Sequence, residues 1–394
     1  MLKINFNITL FFILSLIILP FLLKYLFGVT SLSSSIMIFS VACIIFLIKL
    51  FKKIIHVNIY YFILIFFFIF HLLLTIFFNH TLNDKFFTSI LGLFIFFTSS
   101  YISSLYFYKT ESVVSFNAFK YSFVILLLLG LYHIIFIGGA RDVFPFAEAS
   151  HYALFFGPLS LLIYILTTNK FLRISILIFL MMFSFLFPNT TMLIYLFLIM
   201  FLHLRFNIKS VIFFILIFIL ISNNAYVSDR IFFLSEESSH NLSSLVYLQG
   251  IQDAYNSLIQ TYGLGLGFQQ MGTQDSSEAG LLIQQLINND VGLNRQDGGF
   301  TAAKIIAEFG VLGLFLLLVY FMKFKKAFNY LRKNLFYKRE NNIKEIIANV
   351  FIYAYFIELF IRGVGYFSQG TFFFLVALFY LSLKKRNEII NYSQ

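Results

Sequence analysis

The residues able to do chemistry gather in a few places. The stretch from Gly138 to Tyr152, GGARDVFPFAEASHY, brings Arg141, Asp142, Glu148 and His151 to the edge of an apolar run. Further along, Arg230 and Arg295 flank a long polar segment, Asp297 follows two residues after Arg295, and Arg362 sits in ELFIRGVGYFSQG. An arginine presents a rigid, permanently charged fork that grips phosphate oxygens in pairs. A carboxylate or an imidazole can take the proton of an attacking hydroxyl. In a chain that holds charged residues to 11%, both signs at a membrane rim mark a functional site by default.

Each position also has a plainer reading. Glu148 and His151 are three apart, so a helix beginning near Glu148 projects both from one face of its first turn, where negative charge suits the dipole. The same Glu148 could start the helix and pair with His151 or Arg141 purely for topology. Arg230 and Arg295 are open between ligand binding and an ion pair with a neighbouring aspartate. Lys304 and Glu308, four apart, are expected to pair with each other, and Glu358 and Arg362 show the same spacing. The glycine-rich GLGLGFQQMG, Gly263 to Gly272, either offers backbone N–H groups to a phosphate or packs closely on a helix. It follows a helix and lacks the Lys-Ser/Thr of a P-loop, which argues against a nucleotide site.

The elements that must position these residues are membrane helices. A mean hydropathy of +0.90 and 60% hydrophobic residues exclude an ordinary soluble domain. Twelve apolar runs are long enough to cross or nearly cross the hydrocarbon: 6–27, 35–51, 57–78, 86–108, 119–137, 151–167, 173–187, 190–205, 209–222, 301–322, 345–361 and 370–383. Pro188 and Asn189 make a turn between runs seven and eight. The chain divides into an N-terminal bundle (1–222), a large extracytoplasmic loop (223–300) and a C-terminal bundle (301–394). With Lys3 cytoplasmic, alternation leaves only Lys24, Lys85, Arg141, Arg230, Arg295, Lys304 and Arg362 of the 28 basic residues away from the cytoplasm. That asymmetry predicts cytoplasmic N and C termini. The net charge of +11 is therefore a topology signal, with no nucleic acid implied. The first run lacks a small-residue cleavage site and reads as a retained helix.

Cys43 is the single cysteine, so neither an intrachain disulfide nor a cysteine metal site is available. No cofactor or metal is expected. In the loop, apolar residues from Leu242 to Tyr262 recur at helical spacing and stop at Gly263, and a second short helix is expected over Glu278 to Ile287. Such helices suit a membrane surface or a roof over a cavity. The basic residues from Lys323 to Lys344 read as a cytoplasmic loop against anionic lipid. His71, mid-span, reads as a hydrogen-bonded packing residue rather than a proton relay.

In this topology Arg141, Arg295 and Arg362 share one membrane side with Glu148 and His151. A lipid pyrophosphate leaving a sugar is an anion suited to such arginines, which would stabilise the charge that grows on it. Glu148, His151 or Asp297 would accept the proton of the incoming sugar hydroxyl. At these residues the chain resembles the Wzy-type O-antigen polymerases, a group related to the O-antigen ligases. FAEASHYA at Phe146–Ala153 is similar to their F-x-E-P-S-H-x-A, with Ala149 in place of proline. ELFIRGVGYFSQG is similar to their E-x-x-I-R-G, Arg230–Leu234 to the R-x-x-x-L opening the large loop, and GLGLGF to its glycine-rich close.

The resemblance implies a GT-C-like, all-α fold of about twelve spans and polymerisation of undecaprenyl-pyrophosphate-linked oligosaccharides at the periplasmic face of the inner membrane. It also implies a repeat-unit flippase and a chain-length regulator as partners. Asp297, Gly298 and Gly299 stand where ligases tend to carry a histidine, which favours polymerase over ligase. The competing class is a transporter, such as a flippase for the same lipid-linked units. The absence of a visible internal repeat and the late, long loop argue against it.

Overall fold

A computed structural model describes residues 6–29, 31–50, 59–78, 84–138, 143–187, 190–203, 242–288, 293–337 and 342–392. Arg141, Asp142, Arg230, His56, His80, the Pro188–Asn189 turn and the expected span 209–222 lie outside the described residues. The described chain is helical with no strand. The first eight helices are α1 (Phe6–Phe27), α2 (Leu32–Leu50), α3 (Ile59–Phe78), α4 (Asp84–Lys109), α5 (Ser112–Tyr132), α6 (Ala149–Leu166), α7 (Lys170–Leu186) and α8 (Thr190–His203). After them come α9 (Leu242–Gln260), α10 (Glu278–Ile287), α11 (Thr301–Tyr337), α12 (Ile343–Phe360) and α13 (Gln369–Tyr392).

Five of the described helices are long and apolar enough to cross a membrane, and α2, α3 and α8 contain shorter apolar stretches. This is a membrane-embedded helical protein. Its centre is the pair α6 and α12. Both are predominantly apolar, and α6 is buried continuously from His151 to Ile165 while nearly all of α12 from Ile346 to Leu359 is covered. A helix without a polar face belongs inside a bundle. Around α12 pack α5, α6, α8, α11 and α13, and α13 also leans on α4. Tyr353 donates to the Leu198 carbonyl of α8 at 3.0 Å, and Tyr152 to the Leu126 carbonyl of α5 at 2.8 Å. Each hydroxyl thus ends on a backbone acceptor, as a buried tyrosine requires.

Two elements differ from the sequence reading. The residues from Lys323 to Lys333 form no loop: they ride on a continuation of α11 that reaches Tyr337. Lysine and arginine are good helix formers, so a basic stretch carries the helix on beyond its apolar part. α11 is instead broken near its start, where Gly310 takes φ 57° and ψ −132°. The turn over 263–265 presses so close that a Cβ there would strike the Gly263 carbonyl, which leaves only glycine for the position. α5 likewise begins at Ser112, before the expected 119, and ends in a π turn over His133–Ile137.

Candidate functional site

α6 starts and α12 ends at the same rim of the bundle. Glu148 precedes α6 in an extended conformation, φ −148° and ψ 151°, and its carbonyl accepts from His151 N at 3.1 Å. The turn before it is closed by Phe146 N donating to the Val143 carbonyl at 2.6 Å, with both side chains buried. Phe21 of α1 holds that turn in place, its ring 4.9 Å from Phe146 and 5.5 Å from His151. Arg362 lies just beyond α12, whose last turn is closed by Arg362 N donating to the Ile357 carbonyl at 2.9 Å.

Arg362 Nη2 donates to Glu148 Oε2 at 2.6 Å, joining residues 214 apart in sequence. Ser150 Oγ donates to the same carboxylate oxygen at 2.8 Å. The expected Glu358–Arg362 pair is replaced by this one. Glu358 is buried and accepts from Ser368 Oγ instead, and Ser368 also accepts from Thr371 N at 2.9 Å, at the start of α13. Arg362 lies two residues past the end of the helix and bonds Glu148 rather than the residue four before it, so sequence spacing does not decide its partner.

The Glu148–Arg362 pair is part-exposed, 50% for the carboxylate and 24% for the arginine. Burial pushes the Glu148 carboxyl up, but Arg362, His151 and the Ser150 hydroxyl outweigh it and hold the group below its ordinary value. Arg362 Nε is buried with no hydrogen-bond partner, as is His151 Nδ1. A buried guanidinium N–H left unmet is costly inside a fold. Lys24, in the last turn of α1, lies within electrostatic reach of His151. In the sequence Lys24 has no role beyond its place among the residues expected away from the cytoplasm.

Asp297 belongs to a loop stitched to the one bearing Arg362. Gly363 N donates to the Gly299 carbonyl at 3.1 Å, and a Cβ on Gly365 would stand 3.0 Å from Asp297 Oδ1. Tyr247 of α9 donates to the Phe360 carbonyl at 3.1 Å, which ties α9 to the end of α12, two residues before Arg362. Asp297 accepts from Lys304 Nζ at 3.3 Å and is 51% exposed.

The structure takes Arg295 elsewhere. Its Nη2 donates to the Gln274 carbonyl, and its charge acts on Asp253 inside the 242–300 segment. Asp253 is fully buried and neither carboxylate oxygen has a well-formed hydrogen bond; burial raises it, against the Ser277 and Arg295 contacts that lower it.

The expected Lys304–Glu308 pair forms at 3.9 Å, and both side chains are almost fully buried. Glu308 does more than pair. Its two oxygens accept from Gln269 N at 2.8 Å and Met271 N at 3.2 Å, while its carbonyl accepts from Gly267 N at 2.9 Å. The glycine-rich turn therefore spends these N–H groups on α11, which decides between its two readings in favour of packing. Lys304 also donates to the Gln296 carbonyl at 2.6 Å. His71 lays its ring 4.2 Å from Phe309, as a packing residue.

No family model, curated protein or solved structure matches this chain.

Proposed function

We propose that the chain is a Wzy-type O-antigen polymerase: a GT-C-like glycosyltransferase of about twelve spans that links undecaprenyl-pyrophosphate-borne oligosaccharide units at the periplasmic face of the bacterial inner membrane. The observation that carries this reading is the Glu148–Arg362 bond at 2.6 Å. It joins the two stretches that resemble the family's separate signatures, at one rim and part-open to solvent.

In this reading Arg362 holds the pyrophosphate of the donor, with Arg141 and Arg230 as further candidates for the same anion; Arg295, bonded to the Gln274 carbonyl, is not one of them. The Arg362 fork needs no proton exchange to remain charged. When the pyrophosphate takes the guanidinium, Glu148 is released from its salt bridge beside the incoming acceptor. The acceptor hydroxyl oxygen bonds to the anomeric carbon of the growing glycan. The carbon–oxygen bond to pyrophosphate breaks, and the electron pair leaves on the undecaprenyl carrier, where arginine stabilises it. The hydroxyl proton passes to Glu148, His151 or Asp297. Asp297 has a clear means of staying near the site, since its loop is bonded to the Arg362 loop. A repeat-unit flippase supplies the substrate and a chain-length regulator acts on the product.

Deleting the gene and analysing surface glycan tests the assignment. Lipid A–core capped by single repeat units is the expected result. Lipid-linked units trapped on the cytoplasmic side would make the chain a flippase, and free unattached polymer would make it a ligase.

A further inference from the structure

α9 carries apolar residues on its outer side as well as its inner one. Its covered side sets Val246, Gly250 and Ala254 toward α11 and the turn before it, and Gln249 and Asp253 toward the 274–280 stretch, all buried, with Ser257 also buried. Ser257 Oγ donates to the Ala307 carbonyl at 2.5 Å. The opposite side carries Ile251, Tyr255 and Ile259 at steps of four, followed by Tyr262 and Leu264, and all five are exposed. Tyr255 is 63% and Tyr262 97% accessible. The one charged side chain in the helix, Asp253, is on the inner side. A 19-residue helix that shows no charge outward and an unbroken apolar strip is poorly suited to an aqueous surface.

Its strip runs on into a surface of known kind. Val311 N donates to the Gly263 carbonyl at 2.8 Å, directly after α9. From Val311 the second part of α11 exposes Leu314, Phe315 and Leu318 outward, within a stretch apolar and long enough to span a bilayer. Before the break at Gly310, by contrast, Ala303, Lys304, Ala307 and Glu308 are all buried. α9 is the element laid over that part. Its contacts there fall at Ala303, beside Gly250, and at the Ala307 carbonyl.

We infer that α9 is an interfacial membrane helix whose Ile251–Tyr255–Ile259–Tyr262 face is sunk in the lipid of the leaflet on the Glu148–Arg362 side. The occupant of the face is bilayer lipid. The two outward tyrosines suit the headgroup level, where an amphipathic ring has one apolar and one wet end. An interfacial helix lies about 5–10 Å into the headgroup and acyl boundary. Because Tyr247 of α9 is bonded to the Phe360 carbonyl, that anchorage sets the height of the Arg362 loop. On the pyrophosphate reading proposed above, the height is that of a lipid phosphate; the anchorage itself does not depend on that reading.

The chain contains no tryptophan, so Tyr255→Trp introduces a single fluorophore, with Ile259→Trp as an independent second position on the same face. Each full-length variant is placed in phosphatidylcholine nanodiscs whose acyl chains carry bromine at shallow or deep carbons. Phe315→Trp on α11 serves as the reference within the hydrocarbon. The expected result is blue-shifted emission that falls at least about twofold with shallow bromines, as the interfacial depth requires, and resists aqueous iodide. Iodide quenching without bromine quenching would place the face in water and overturn the inference. Emission protected from both quenchers would mean that protein covers it, either residues 204–241 or a second copy, and would overturn it equally. None of these readouts uses polymerase activity, so failure here leaves the function to be judged by its own test.

Discussion

Two ion pairs built from similar sequence signals have opposite fates in this protein. Lys304 and Glu308 are 3% and 0% exposed, and Glu308 spends both oxygens on the backbone of the glycine-rich turn. Glu148 and Arg362 are 50% and 24% exposed, with a guanidinium nitrogen left unmet. The first pair is used up in holding the 263–272 turn against α11. The second retains capacity for something that is not protein. A charge at a membrane rim is thus not informative by itself; what matters is how many of its hydrogen-bonding positions the fold has already filled.

The contrast can be broken most severely at the buried pair. Glu308→Ala leaves the Gln269 and Met271 N–H groups unmet while Lys304 keeps Gln296 and Asp297, and each buried donor left unmet costs about 1–3 kcal/mol. Loss of monodisperse protein on size exclusion in detergent is expected, and a normal yield would show that the clamp is dispensable. Arg362→Lys should do the opposite, leaving protein amount unchanged while cutting polymerisation about tenfold or more, since a point charge cannot reproduce the fork. Surface-glycan ladders against membrane protein amount check it. Glu148→Gln and His151→Ala should each shorten the ladder at normal protein amount, and full ladders from both would return the pair to a topological role.

The Glu148 carboxyl titrates below its ordinary range. Its contribution to the rim is therefore present above the ordinary carboxylate pKa and is lost only as pH falls through the lowered value. Activity in proteoliposomes should hold from neutrality down through the usual carboxylate range, with an acid loss that Glu148→Gln abolishes. A loss beginning near neutrality in wild type would contradict that sign. The smallest effect is expected at Ser368→Ala. It removes the hydroxyl that ties Glu358 to the start of α13, worth about 1 kcal/mol, and should lower thermal stability slightly while the ladder keeps most of its length.

Much of the fold was readable because apolar runs and span ends leave strong marks in sequence. α9 and α10 end within a few residues of their expected limits, stopped by Gly263 and after Ile287. The use of Arg362 was not readable. A local partner at i−4 competes on paper with Glu148, and only the antiparallel meeting of α6 and α12 decides between them. The role of Glu308 was half-readable: its spacing to Lys304 is local, but its capture of the glycine-rich turn depends on the break at Gly310. The extension of α11 was hidden because lysines after an apolar run look the same in a loop and on a solvated helix.

The most direct measurement is polymerisation by the purified chain in proteoliposomes supplied with lipid-linked repeat units, for wild type and Arg362→Lys at equal amounts of folded protein. Wild type is expected to lengthen the glycan and to be inhibited by added inorganic pyrophosphate. Arg362→Lys is expected to be slower by about tenfold or more and far less sensitive to that inhibitor. Equal rates and equal inhibition in the two proteins would contradict the role given to Arg362.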